Sequence, residues 1–256
     1  MLMFIQEEVL FKSEKKILDA DCKRNSIIVL LKGKGESIVQ LDGKIILLAS
    51  PHQYNIRFTA SHFCLLDRLE AKLSFYTLTG DFVSEHDTGH DVYELFPYKG
   101  GVLCSYGDEG AFGEDLGKNM LNYFAPLREP ESFIKRAIEN NLLYDPLIVR
   151  HKPFACISWQ NNELIFLNGE LQQQKAMELP ILPMHLIAFA LTYEYAVFIE
   201  NNKIWLWKFE GSADITEYPA EYSYKTRAIY HRHKYLFLTV SDHEVRAFKP
   251  VMSEIK

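Results

Sequence analysis

The sequence has only four cysteines (Cys22, Cys64, Cys104 and Cys156), with no CxxC pair and no Cys/His cluster at zinc-ligand spacing. A zinc module and a redox dithiol are thereby excluded. Basic charge is scarce as well: 28 Lys+Arg against 34 Asp+Glu give a formal net charge of -6. The densest basic stretch, Arg227–Lys234 (RAIYHRHK), falls between strand signals and reads as a loop or solvated strand end. A nucleic-acid-binding surface is not expected from this balance. No apolar run approaches the ~20 residues a helix needs to cross a bilayer. The longest, Ser26–Leu31 and Lys44–Ala49, have strand length. The opening MLMFIQEEVLF carries Glu7 and Glu8, no basic region and no small-residue cleavage site, so a cytoplasmic location is expected. Nucleotide signatures are also missing. Gly33–Ser37 (GKGES) lacks P-loop spacing, no GxGxxG precedes a helix, and there is no GxSxG elbow. No cofactor is expected.

What is present, along a chain of 256 residues, is a degenerate repeat. Its unit is an apolar run, a polar turn, a second and often aromatic strand, then Gly or Pro. Tyr195–Gly211 (YAVFIENN, then KIWLWKFEG) shows it best, followed by Pro153–Gly169, Lys234–Pro250, His62–Gly80, Gly101–Pro126 and Asn25–Gly43. The units start near residues 25, 62, 101, 153, 195 and 234, so four of the five intervals are 37 to 42 residues. β-branched and aromatic runs bounded by Gly, Asn, Asp and Pro are strands, and this period is that of propeller blades. Asn55–Thr59, Val92–Phe96 and Leu186–Ala190 supply strands before the core run; Asp81–His86 and Asp214–Tyr218 supply strands after it. Four strands per unit make a blade. The expected fold is all-β: a single domain, residues 1–256, of six four-stranded blades.

A ring leaves two open edges unless it closes. The unassigned segment Leu2–Phe11 is therefore expected to be the outer strand of the last blade. The long interval between 101 and 153 holds a helical insertion at about 130–142. There Glu131–Asn141 follows Pro130, and Phe133, Ile134, Ala137 and Ile138 form one apolar face. Such a face should pack on the rim of the propeller. Three of the cysteines, Cys64, Cys104 and Cys156, sit at matching places in the apolar runs and read as core filler.

Chemistry is sparse. The most distinctive string is Tyr106–Gly113 (YGDEGAFG), whose three glycines imply a sharply bent chain after a core strand. Asp108 and Glu109 are its candidate catalytic or cation-binding carboxylates; the simpler reading is a turn braced by Asp108. Asp67 and Asp242 end the corresponding strands of other units and, with Asp108, are the candidates for a central metal. No spaced acidic loop supports one, and no metal is expected. Phe112, Trp159 and Trp207 are the candidate ligand-stacking aromatics. Trp205 and Trp207, two apart, share a strand face and suit packing between blades.

The segment GGVLCSYGDEGAFG, with LNYFAP after it, resembles a group of uncharacterised bacterial β-propeller proteins with a YxDEG(V/A)FG-like motif. The likeness covers about one blade. This chain departs in Ala111, in the connection EDLGKNM, and in the helical insertion that follows. The resemblance implies the propeller fold without an established activity, and marks Asp108, Glu109, Gly110 and Phe112. The expected function is a non-catalytic binding module for a protein or small-molecule ligand. The alternative is a metal-dependent hydrolase of lactones, esters or glycosides, with its carboxylates converging on the central channel.

Overall fold

Each apolar run of the repeat becomes a central strand of an antiparallel sheet, because only a strand flanked on both sides and covered on both faces can bury every side chain. The structure is a computed structural model that describes residues 2–48, 53–113, 115–139, 154–181, 186–200, 203–209, 215–219, 225–231 and 235–253. The chain opens with β1 (Leu2–Lys12). The first blade is β2 (Ile17–Lys23), β3 (Ser26–Lys32), β4 (Ser37–Leu41) and β5 (Lys44–Leu48). The second is β6 (Gln53–Phe58), β7 (His62–Asp67), β8 (Lys72–Thr77) and β9 (Phe82–Asp87). The third is β10 (Val92–Tyr98), β11 (Gly101–Tyr106), β12 (Leu121–Phe124) and β13 (Glu131–Ser132), with the helical turns α1 (Asp108–Ala111) and a 3-10 turn (Leu116–Asn119) between β11 and β12. After β13 comes α2 (Ile134–Glu139). Among the described residues the fourth blade has three strands: β14 (Phe154–Ser158), β15 (Glu163–Leu167) and β16 (Gln173–Glu178). The fifth is β17 (Leu186–Leu191), β18 (Tyr195–Glu200), β19 (Lys203–Lys208) and β20 (Ile215–Pro219); the sixth holds β21 (Arg227–His231), β22 (Tyr235–Val240) and β23 (Glu244–Ser253). The result is a six-bladed β-propeller.

Closure follows the expectation: β1 pairs antiparallel with β23, giving the order β1-β23-β22-β21. The first strands of the blades touch round the ring, β17 with β21, β21 with β2, β2 with β6, and β6 with β10. Four of them, β2, β6, β10 and β17, share a register shift at the same place, between Ile17 and Asp19, Gln53 and Asn55, Val92 and Glu94, and Leu186 and Ala188. A bulge increases local twist and re-aims the side chains beyond it.

The core is distributed over the six junctions between blades, one apolar cluster at each. Strand alternation does this. On β7, Phe63 and Leu65 pack toward the first blade while Cys64 and Leu66 pack toward the third. The four cysteines are buried and free. Burial pushes the Cys64 thiol up to about 12, so it behaves as a small apolar residue. Trp205 stacks on Phe198 with ring centroids 4.0 Å apart, in the junction of the fourth and fifth blades.

The insertion needs a correction at its start. Glu131 and Ser132 are not helical: they pair with Tyr123 and Asn122, and the Phe133 N–H continues the pairing to the Leu121 carbonyl at 2.8 Å. The open edge of the third blade captures these residues before the helix begins. Ala137 is then fully buried, and Phe133 sits edge-on to Tyr98 and Tyr123. Ala137 and Phe133 thus pack in the junction of the third and fourth blades, and the side chains of Ile134 and Ile138 lie outside the described residues. Residues 140–142 of the expected insertion lie outside the described residues.

Candidate functional site

At one face of the ring the second strands end and the links to the next blade run. There a pocket of about 540 Å³ opens between the second and third blades. One wall comes from the end of β7 and the turn after it, through Leu66, Arg68 and Ala71. The other comes from the β9–β10 link, Thr88–Asp91, and from the loop after β11, through Glu109, Gly110 and Asp115.

The loop YGDEGAFG is built to hold that second wall. Tyr106 is buried, and its hydroxyl donates to the Thr88 carbonyl at 2.6 Å while accepting from Asn122 Nδ2 at 3.1 Å. Burial pushes the Tyr106 phenol well above its usual range, so it stays a neutral donor. Asp91 accepts the Gly110 N–H at 3.1 Å, and its own carbonyl accepts the Gly107 N–H at 2.9 Å. Asp115 accepts the His90 N–H at 2.9 Å and the Gly117 N–H at 2.8 Å. Among the described side chains, Asp91 and Asp115 brace the turn; Asp108 begins α1, and its side chain lies outside the described residues.

These bonds draw backbones together. A Cβ on Gly110 would stand 2.8 Å from the His90 carbonyl oxygen, and one on Gly117 would stand 2.6 Å from the Gly110 carbonyl oxygen. Both neighbours are main chain and cannot swing aside. Gly110→Ala is expected to cost about 1–3 kcal/mol, the usual range for overpacking. Urea unfolding checks it; an unchanged midpoint would show that the loop has room to spare.

The other candidates stand as follows. Asp67 is buried at the end of β7, where its Oδ1 accepts the N–H groups of Leu69 and Glu70 at 3.0 and 3.2 Å. Asp242 lies in the exposed turn after β22 and pairs with Lys16 at 3.2 Å. Glu109 lines the pocket, and Phe112 is exposed beyond it. These carboxylates belong to the second, third and sixth blades. Among the described residues no three His, Cys, Asp or Glu side chains gather as metal ligands. Trp207 is buried against Phe209 in the junction of the fourth and fifth blades, with Trp159 half-buried in the same cluster. Of the sequence candidates, the pocket wall contains Glu109 and Gly110.

A second polar assembly, which the sequence reading missed, joins the first strands. Asp19 on β2 accepts from Arg57 Nη1 of β6 at 2.6 Å, from Arg227 Nη2 of β21 at 2.7 Å, and from the Ile56 N–H at 3.0 Å. Arg57 also donates from Nε to the Leu95 carbonyl at 3.2 Å and ion-pairs with Glu94 of β10. Asp21 accepts the N–H groups of Phe58 and Cys22, each at 2.8 Å. Blades six, one, two and three are thus laced together. The carboxylates also satisfy main-chain donors on the inner edge of β6, which no further strand pairs. The available signal was alternating polarity, Asp19/Asp21 and Asn55/Arg57, in strands otherwise apolar.

Comparison with known proteins places the fold. No protein-family model matches the chain, and no curated protein sequence matches it. Solved structures do. Virginiamycin B lyase from Staphylococcus aureus is 12% identical with a TM-score of 0.54, over 96% of this chain and 99% of that one. A member of the DUF4221 family from Bacteroides vulgatus is 7% identical with a TM-score of 0.57, over 98% of this chain and 99% of that one. A streptogramin B lyase is 8% identical with a TM-score of 0.50, over 97% and 98%. At these identities the likeness is one of fold. No helix among the described residues is long and apolar enough to cross a membrane.

Proposed function

We propose that this chain is a non-catalytic binding module that takes a small molecule or a short protein segment into the pocket between its second and third blades. The observation behind this reading is the pocket itself: about 540 Å³, open at the loop face, with one wall braced from behind by Tyr106, Asp91 and Asp115. Its volume is within the usual range for ligand sites, roughly 300–1,000 Å³. Loops on a rigid scaffold are where propellers carry recognition. We place the module in the cytoplasm, a reading supported by four buried thiols with no disulfide among them.

The test is a thermal-shift screen against a metabolite and peptide library, run on the wild type and on Glu109→Trp, whose indole would fill the mouth. A ligand present at about 100 times its Kd stabilises by about 2.7 kcal/mol. Hits are expected to raise the melting temperature of the wild type by several degrees and to leave that of Glu109→Trp unmoved. Hits that shift both alike would put the site elsewhere.

A further inference from the structure

The pocket sets one guanidinium, Arg68, against three carboxylates, Asp91, Glu109 and Asp115, and Arg68 ion-pairs with none of them. On the second-blade wall, Arg68 is fixed by two bonds, Nε to Asn55 Oδ1 at 2.9 Å and Nη2 to the Tyr93 carbonyl at 3.0 Å. A guanidinium has five N–H donors, so Nη1 and the second N–H of Nη2 remain for another acceptor. On the opposite wall, Glu109 is exposed on α1 and takes no hydrogen bond or ion pair among the described residues. The other carboxylates of that wall, Asp91 and Asp115, are occupied with the N–H groups of Gly110, His90 and Gly117. Next to the two charges on the same loops stand Leu69 and Phe112, 61% and 72% exposed.

A cavity that keeps a guanidinium and a carboxylate apart is complementary to a ligand bearing both signs at a matching separation. We infer that the pocket binds a small zwitterion, an α-amino acid or a short peptide, with its carboxylate on Arg68 and its ammonium on Glu109. The inference rests on the reading of this pocket as the binding site. Arg68 suits the carboxylate because its planar fork is already oriented and matches two oxygens. Leu66, Ala71 and Val92 of the pocket lining would face an apolar side chain of the ligand, while Leu69 and Phe112 stand outside the lining. Selectivity follows from the same geometry. A ligand lacking either charge leaves a polar group of the site covered and unpaired, which costs more than a missing apolar contact.

The experiment is calorimetric titration of the full chain with free amino acids and, separately, with dipeptides; these two arms separate the two sources of the zwitterion. The tightest ligand is then compared with its decarboxylated amine and its N-acetyl derivative. Both analogues are expected to bind at least tenfold more weakly to the wild type. Glu109→Gln should weaken the parent ligand while leaving the N-acetyl derivative unchanged, and Arg68→Gln should weaken the parent while leaving the amine unchanged. An analogue with one charge that binds within twofold of the parent overturns the inference. So do neutral or singly charged ligands that bind, and are blocked by Glu109→Trp, where no zwitterion does; in that case the pocket stands as a binding site and only its ligand class falls. Zwitterions that bind Glu109→Trp as well as the wild type, or a panel in which nothing binds, overturn both.

Discussion

Replacing Asp19 with Asn is expected to destabilise the propeller by about 3–5 kcal/mol, the range for breaking a buried ion pair from one side. Asp19 and Arg57 are 2% and 1% exposed. Among the described residues the Asp19 carboxylate alone hydrogen-bonds both Arg57 and Arg227, and it takes the Ile56 N–H as well. Asn keeps a single acceptor oxygen and turns an NH2 toward guanidiniums that can accept nothing. Glu94 still pairs with Arg57, but Arg227 loses its carboxylate. Asp21→Asn is the control. Its carboxylate meets two main-chain N–H groups and no guanidinium directly, so the amide is expected to cost less than about 1 kcal/mol, the scale of one hydrogen bond. Urea midpoints of the two variants decide it: equal losses would mean that burial of polar groups, and not the Arg57–Asp19–Arg227 link, sets the stability here.

The pH dependence separates the two carboxyls further. Burial pushes the Asp19 carboxyl up, but Arg227 and Arg57, aided by the Ile56 N–H, outweigh it and hold it well below the usual range. A folded-state pKa below the unfolded value of about 3.9 makes the contribution complete above that pH and lost as pH falls through the folded value. At Asp21 burial wins over Arg227 and Arg57, and the carboxyl is raised. Its contribution has the opposite sense, full below about 3.9 and lost as pH rises through the folded value. Asp19→Asn should therefore flatten the acid limb of the stability curve, and Asp21→Asn the limb above it.

How much of this was legible in the sequence depends on strand position. The second strands could be read because blades cover them on both faces, leaving short continuous apolar runs such as SIIVLLK and YAVFIE. Cys64, Cys104 and Cys156 recur in those runs because each fills a tight place between blades. The closing role of β1 followed from counting strands around a ring. The first strands were harder. Bulges at the start of four of them shift the alternation, and the partners of Asp19 lie 38 residues away at Arg57 and 208 away at Arg227. The pocket was half legible. YGDEGAFG announced a bent chain beside Glu109, yet the residues that bend it, Asp91 and Asp115, come from the flanking loops and carry no motif of their own. The late start of α2 has the same origin: Glu131 and Ser132 obey the open edge of β12 over their own helical preference.

Removing residues 2–12 is expected to have the largest effect of all. β1 pairs with β23 along nearly its whole length, from Leu2 opposite Ser253 to Lys12 opposite Glu244. It carries Ile5 into the junction of the fifth and sixth blades, and Leu10 and Phe11 into the junction of the sixth and first. Those three side chains are partly buried, which is worth on the order of 3 kcal/mol. That is a large fraction of the whole stability of a domain, about 5–15 kcal/mol. The deletion also exposes the edge of β23, a ten-residue strand that becomes a template for pairing with other chains. The truncated chain, residues 13–256, should therefore unfold at much lower temperature and aggregate at concentrations where the full chain stays dispersed. A synthetic peptide of residues 2–12 tests the cause, since it can pair with β23 from solution. Peptide added in trans should restore the melting transition in a concentration-dependent way, and a scrambled peptide should not. A truncated chain that elutes as a monomer with an unchanged melting temperature would show that the ring holds through the Asp19–Arg57–Arg227 lacing and the blade junctions without its closing strand.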